Sequence, residues 1–364
     1  MSTNFFLKSI TFQNYRGFKN LKIESLKRIN IIGGRNGTGK TTLLEGLFFL
    51  LDYQTPYAVT RPYVWRKTQF GPSLIDQIFY QQDKAALVSI TADTEIGIVE
   101  SRIEHASAPT GISIQIPASP IHANDNTEQR TTTQPTLSQN KGLSISVTLK
   151  NEKVYSVFIL GASNGLSVTP YLAAAVPSIP GIFISAPTRN SPQEDSERFS
   201  IISKSNQEEQ LLQLISSIRK DITQIKILYE NGIPTFYANI SGTQLLPLAL
   251  LGDGVQTAFS IGLAIMNCKN GMLFLDEFES AIHYSLLPDI WATIGRMATQ
   301  YNCQIFAATH SLECIRAAAE GLGKTERAQD LQYIRLENRK GDIAAEVYSA
   351  AQLVRSLNGE WEIR

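Results

Sequence analysis

Polar and apolar positions change rhythm several times along this chain. Residues 5–12 and 21–32 read as strands, and the second runs through Arg28-Ile29-Asn30-Ile31-Ile32 into glycines. Thr41 to Leu51 is an apolar run of helical length. From 86 to 160 the text alternates in short pieces (ALVSITA, IGIVESRI, ISIQI, LSISVTL, KVYSVFIL), which predicts an antiparallel β lobe. Within it, residues 105–142 are rich in Ser, Thr, Gln, Asn and Pro and predict a flexible insertion. Over 196–229, Leu211, Leu214, Ile215, Ile218 and Ile222 recur at three- and four-residue spacing, which predicts one helical pattern stopping at Asn231-Gly232. After 240 the order reads turn, helix, strand, helix, strand, helix. Met272–Leu275 and Gln304–Ala308 are continuous apolar runs, as in parallel strands buried on both faces. Gln332–Leu336 and Ala344–Tyr348 read as two more strands before a short tail.

Composition narrows the picture. With 364 residues the chain has room for about two domains, or for one large α/β domain with insertions. Lys plus Arg and Asp plus Glu are both 33, so a purely electrostatic nucleic-acid binder is disfavoured. Hydrophobic content of 43% argues against wholesale disorder. Cys268, Cys303 and Cys314 form no metal-ligand or disulfide pattern, which fits a reducing compartment. The opening MSTNFFLKSITF has no signal-peptide core, and the stretch Tyr171 to Ala186 is broken by Pro177 and Pro180. The expectation is a cytoplasmic protein with no membrane contact.

The chemistry begins at Gly34-Arg35-Asn36-Gly37-Thr38-Gly39-Lys40-Thr41, which matches G-x-x-x-x-G-K-[ST] between an apolar strand and an apolar helix. The glycines allow backbone N–H groups to converge as an anion nest, and the helix N-terminus adds positive charge. Lys40 is expected to reach the β- and γ-phosphates of a nucleotide, Thr41 to ligate Mg²⁺, and Thr42 to reach the α-phosphate. Met272-Leu273-Phe274-Leu275-Asp276-Glu277 is a buried strand ending in two acids, where a ligand would lie. Asp276 suits the Mg²⁺ shell; Glu277 suits a base that polarises the attacking water.

Two further segments join these. Leu251-Gly252-Asp253-Gly254-Val255-Gln256 opens an apolar helix and offers a second glycine-rich helix N-terminus. One subunit cannot easily grip a nucleotide with both helix ends, whereas a symmetric dimer lets each copy present its turn to the other's γ-phosphate. Ile305-Phe306-Ala307-Ala308-Thr309-His310-Ser311 is another apolar strand with a polar end, where His310 is expected to contact the γ-phosphate or the water.

With these elements in this order the chain resembles the ABC-type ATPases that include the RecF, SMC and OLD families. Asn14-Tyr15-Arg16-Gly17-Phe18 is similar to the opening strand of that class, and Asn36 to the asparagine of its phosphate loop. The resemblance implies that Gly252, Asp253 and Gly254 lie in the signature motif, that Asp276-Glu277 is the Walker B pair, that Ser280-Ala281-Ile282-His283 is the D-loop and His310 the switch histidine. Gly37, Thr38, Gly39 and Arg16 are implied as nucleotide contacts, Arg16 with turn-bracing as its equal alternative. Where transporters carry Ser-Gly-Gly-Gln, this chain has Asp253. The text is most similar to stand-alone OLD-like ATPases of defence loci, including the PARIS-type subunit, over residues 1–50 and 235–320.

The implied fold is α/β: an ABC-type P-loop ATPase head with a mixed or parallel central sheet, an antiparallel β lobe and a helical lobe. The expected parts are 1–84 with the phosphate loop, 85–195 as β-rich insertion, 196–234 as helical lobe, 235–320 with signature, Walker B and histidine, and 321–364 as strands and tail. The implied activity is ATP hydrolysis with Mg²⁺ by a homodimer or higher assembly, acting as sensor and scaffold in anti-phage defence for a separate effector, a TOPRIM-like or other nuclease. DNA or a phage protein would be the trigger. The alternative is a RecF-like DNA-binding repair ATPase. Few residues follow His310, so a nuclease domain is expected on another chain, and no long heptad array suggests SMC-type arms. Residues 53–70 interleave Arg61, Arg66 and Lys67 with aromatics, read mainly as a packed loop with nucleic-acid contact as the alternative. Gln77, Gln81 and Gln82 are equal candidates for a Mg²⁺-sensing glutamine.

Overall fold

A computed structural model describes residues 7–52, 58, 61–62, 75–109, 141–162, 165–174, 179–185, 192–242 and 244–359. The strands in chain order are β1 Leu7–Tyr15, β2 Phe18–Ile23, β3 Ile29–Gly33, β4 Val88–Thr94, β5 Gly97–Ser107, β6 Lys141–Leu149, β7 Glu152–Ala162 and β8 Gly165–Ala173. There follow β9 Gly181–Ser185, β10 Ile222–Glu230, β11 Ile233–Ile240, β12 Gln244–Pro247, β13 Met272–Asp276, β14 Gln304–Ala308, β15 Leu331–Arg339 and β16 Asp342–Ser349. The chain divides into two compact units, one of Met1–Ser9, Ile23–Leu44 and Ser178–Arg364, the other of Ile10–Lys22 and Glu45–Pro177.

The first unit is built on a six-stranded sheet in the order β16-β15-β3-β14-β13-β9. All neighbours are parallel except β15 and β16. Strands β3 and β14 are buried at every position, which is why apolar residues dominate them without alternation, the buried Asn30 and Gln304 excepted. The helix Asp253–Asn267 is buried over most of its circumference. It shares one core with Leu211, Leu214 and Ile215 of the helix Glu208–Ser216, and with Ile290, Trp291 and Ile294 of the helix Leu287–Gln300. A three-stranded antiparallel sheet, β10-β11-β12, leads into the Asp253 helix.

Most of the second unit is a seven-stranded sheet in the order β2-β1-β4-β5-β6-β7-β8. From β4 to β8 each strand pairs antiparallel with the next in sequence, as the alternating pieces predict. The ISIQI piece and most of 105–142 lie outside the described residues.

Several expectations are corrected. The strand read over 21–32 is two strands: β2 ends at Ile23, and the chain turns at Ser25, with φ of 59°, before β3. Asn30 fixes that turn, its side chain accepting from Lys27 N at 2.9 Å and donating to Lys27 O. The helical lobe over 196–234 is two helices, Pro192–Lys204 and Glu208–Ser216, followed by strand β10 and the start of β11. Asn206 in the left-handed region, φ 52°, breaks the first helix from the second. The β-branched run Ile222-Thr223-Gln224-Ile225-Lys226-Ile227 favours a strand although its isoleucines continue the helical spacing. The insertion read as 85–195 ends earlier, because Gly181–Ser185 pairs parallel with β13 in the central sheet. The tail after β16 begins with a helix, Ala350–Asn358, started by a capping box in which the Ser349 hydroxyl accepts from Gln352 N.

Candidate functional site

Three adjacent parallel strands deliver the site. β3, β14 and β13 lie side by side, and their carboxyl ends carry the phosphate loop, Thr309-His310 and Asp276-Glu277 respectively. This is the edge of an open α/β sheet where ligands are held.

The loop has the backbone that its glycines predict. Gly34, Gly37 and Gly39 have φ of 135°, 81° and 86°, and a Cβ on Gly34 would stand 2.3 Å from the carbonyl oxygen of Leu336 on β15. Arg35, Asn36 and Gly37 are exposed, while Thr38 is buried and its hydroxyl donates to Arg35 O at 2.9 Å. Lys40 is buried, and its ammonium donates to Gly34 O at 2.9 Å and to Arg35 O at 3.1 Å. Burial pushes the Lys40 pKa down, against the opposing pull of Glu277, Asp276 and Glu279.

Thr41 Oγ1 donates to Asp276 Oδ2 at 2.9 Å, so the two expected metal ligands already meet. A hydroxyl and a carboxylate oxygen at one point are oxygen donors that suit a hard cation, and these residues fit Mg²⁺. Glu277 takes a left-handed backbone, φ 51° and ψ 38°, which turns its side chain off the strand. Its N–H donates to Ala308 O at 3.0 Å. Its Oε1 lies 3.1 Å from His310 Nδ1, and the two side chains are 45% and 54% exposed. The structure thus brings together Lys40, Thr41, Asp276, Glu277 and His310, all within the first unit.

The Gly252–Gly254 turn stands at the N-terminus of the helix Asp253–Asn267, with Gly252 at φ 96° and both Gly252 and Asp253 exposed. Gly254 packs on the Ser280–His283 segment, where a Cβ would come 3.1 Å from Ala281 O. Arg16, in the second unit, pairs its guanidinium with the buried carboxylate of Glu45 and donates its N–H to Ile78 O. That pairing supports the bracing reading. Gln77 lies in the turn Asp76–Ile78, and Gln81 and Gln82 adopt φ of 51° and 58°. Apart from Ala58, Arg61 and Pro62, the basic and aromatic stretch 53–70 lies outside the described residues.

The motifs pass over Glu279 and Thr309. Glu279 is 7% exposed, and its Oε1 accepts from the Thr309 hydroxyl. Burial raises its pKa, opposed by that hydrogen bond. An acid two residues beyond Glu277 and a threonine before His310 are visible in the sequence, but nothing in the sequence says that they meet.

Residues 29–316 match the family described as AAA domain, putative AbiEii toxin, Type IV TA system. The chain belongs to this family. It is a P-loop ATPase that works on ATP with Mg²⁺. A Helicobacter pylori protein named ATP/GTP phosphatase is 24% identical over 331 residues, covering 85% of this chain and 86% of that one. The DNA replication and repair protein RecF of Rickettsia prowazekii is 48% identical over 44 residues, 12% of either chain. Among solved structures, an Smc head bound to the C-winged helix domain of ScpA matches with a TM-score of 0.54 at 11% identity, over 96% of this chain and 99% of that one. A second Smc head, bound to the C-terminal domain of ScpA derived from Pyrococcus furiosus, gives 0.52 at 10% identity, over 98% and 99%. The fold is therefore that of an SMC-type ABC ATPase head. No helix among the described residues is long and apolar enough to cross a membrane.

Proposed function

We propose that two copies of this chain close over ATP–Mg²⁺ and that the closed pair governs a second protein in cytoplasmic anti-phage defence. In this reading the amides of Gly37, Thr38 and Gly39, with Asn36 and Lys40, hold the phosphates. Thr42 reaches the α-phosphate; Thr41 and Asp276 hold the metal. Mg²⁺, when bound, neutralises charge on the phosphate oxygens. Glu277 accepts a proton from the attacking water as its oxygen bonds to the γ-phosphorus, and the bond to ADP breaks with its electron pair. His310 steadies the γ-phosphate. The turn Gly252-Asp253-Gly254 of the other copy completes the pocket.

The observation that carries this reading is a split in exposure at the strand ends. Lys40 is buried, whereas the Glu277 and His310 side chains stand about half open and Gly252 and Asp253 of the glycine turn are exposed. A water-activating pair left open needs a cover during reaction, and a second copy brings an amide-lined helix end suited to phosphate. The toxin–antitoxin wording of the family and the ScpA partners of the Smc heads support control of another protein. The phosphatase name of the Helicobacter relative supports hydrolysis. The short RecF match supports a second reading, DNA-bound repair, which tight and salt-sensitive DNA binding without a protein partner would favour.

The test expresses Glu277→Gln with the products of its neighbouring reading frames. The expected result is ATP binding at the parental level, turnover lowered about 10²–10⁴-fold, and a neighbour that co-elutes only with ATP present. Parental turnover overturns the role of Glu277, and elution alone in every nucleotide state overturns the partner reading. Lys40→Ala is expected to abolish binding and co-elution together.

A further inference from the structure

We infer that Glu279 is a positioning residue for hydrolysis, acting through Thr309 to hold Glu277 and His310 in register. The inference rests on the roles given to those two residues above. Glu277 and His310 touch each other, yet both side chains are about half exposed. Their alignment must therefore come from the two turns that carry them.

The link between those turns is buried. Glu279 lies in the single 3-10 turn Phe278–Ala281 that follows Glu277, and its carboxylate accepts from the hydroxyl of Thr309, the residue before His310. The same hydroxyl oxygen accepts from Ser311 N at 3.0 Å, on the far side of His310. Ser311 in turn caps the helix Leu312–Gly323 by accepting from Cys314 N at 3.1 Å. His310 is thus bracketed by two residues on one polar chain whose other end is Glu279. The main chain supplies a second strut: Glu277 N donates to Ala308 O, and Thr309 N donates to Ile32 O, just before the phosphate loop.

The chemistry of Glu279 fits this role better than a packing role. Its Oε2 is buried with no hydrogen-bond partner among the described residues, so that oxygen bears a desolvation cost that no hydrogen bond of its own offsets. A leucine of similar volume would fill the space without that cost. What leucine cannot do is accept from Thr309. No distance from Glu279 to a reacting atom is involved, so its effect passes through the two groups it aligns. A displacement of about 1 Å at such groups costs on the order of 10²-fold in rate.

The experiment measures kcat, KM and ATP affinity for Thr309→Val, Thr309→Ser, Glu279→Leu and Glu279→Gln beside Glu277→Gln. Thr309→Val keeps the shape of the side chain and removes the hydroxyl. The expected result is kcat lowered about 10- to 100-fold in Thr309→Val and Glu279→Leu, with ATP affinity within about threefold of the parent. Thr309→Ser and Glu279→Gln retain a donor and an acceptor and are expected to recover most of the loss. Combining Thr309→Val with Glu279→Leu is expected to cost no more than either alone, since both cut one bond. Parental kcat in Thr309→Val beside an inactive Glu277→Gln overturns this inference alone. So does a Thr309→Ser as slow as Thr309→Val. Parental kcat in Glu277→Gln overturns the assignment beneath it, and the inference with it.

Discussion

Burial works against the charge of Lys40 and three carboxylates work for it, and in the proposed function a bound polyphosphate repays its desolvation. Asp195 is the opposite case. It lies buried in the first turn of the helix Pro192–Lys204, with its carboxylate 3.1 Å from Arg198 Nη1. Burial outweighs that ion pair and pushes its pKa from 3.8 up to about 6. The folded chain then holds this proton more tightly than the unfolded chain. Stability from this group is intact below about pH 4, falls as pH rises from about 4 to 6, and stays lower above by on the order of 3 kcal/mol. Asp195→Asn, which mimics the neutral form, is expected to melt higher than the parent at pH 8 and at the same temperature below pH 4. A difference in melting temperature that does not vary with pH would contradict this. Among single residues the sequence disclosed those whose neighbours define them, such as Lys40, Thr41, Asp276, Glu277 and His310. It did not disclose Glu279, Thr309 or Glu45, whose partners lie far along the chain and meet them only after folding.

At the scale of elements, periodicity was a good guide where one element buries all its faces. β3, β13 and β14 are short, mostly apolar runs ending in polar groups, and their polar ends form the candidate site. The reading failed where two periods coincide: Ile218 and Ile222 continue the spacing of Leu211 and Leu214, yet the chain changes from helix to strand between them. Parallel pairing of Gly181–Ser185 could not be seen either, since its partner lies in β13, far downstream. Close helix packing is equally silent in sequence. Gly321 lets the helix Leu312–Gly323 rest on the start of the helix Leu287–Gln300, where a Cβ would meet Pro288 O at 2.1 Å. Gly321→Ala is expected to destabilise the fold by about 1–3 kcal/mol through overpacking, read as a lower urea midpoint with an unchanged slope. An unchanged midpoint would show that the helices part at no cost.

At the scale of the whole molecule, the phosphate loop, the acid pair, the histidine and the glycine turn all belong to one unit, while Arg16 and the three glutamines belong to the other. The family match, from residue 29 to 316, takes in segments of both units. Reading along the chain cannot separate these units, because each is assembled from segments that alternate with those of the other. The proposal that ATP joins two copies is the claim on which the functional account turns. Sedimentation velocity of Glu277→Gln, with and without saturating ATP and Mg²⁺, tests it most directly. The account predicts the mass of one chain without nucleotide and of two with it, a change that Lys40→Ala and Gly254→Arg both abolish. A single-chain mass at nucleotide concentrations where binding is complete would contradict it.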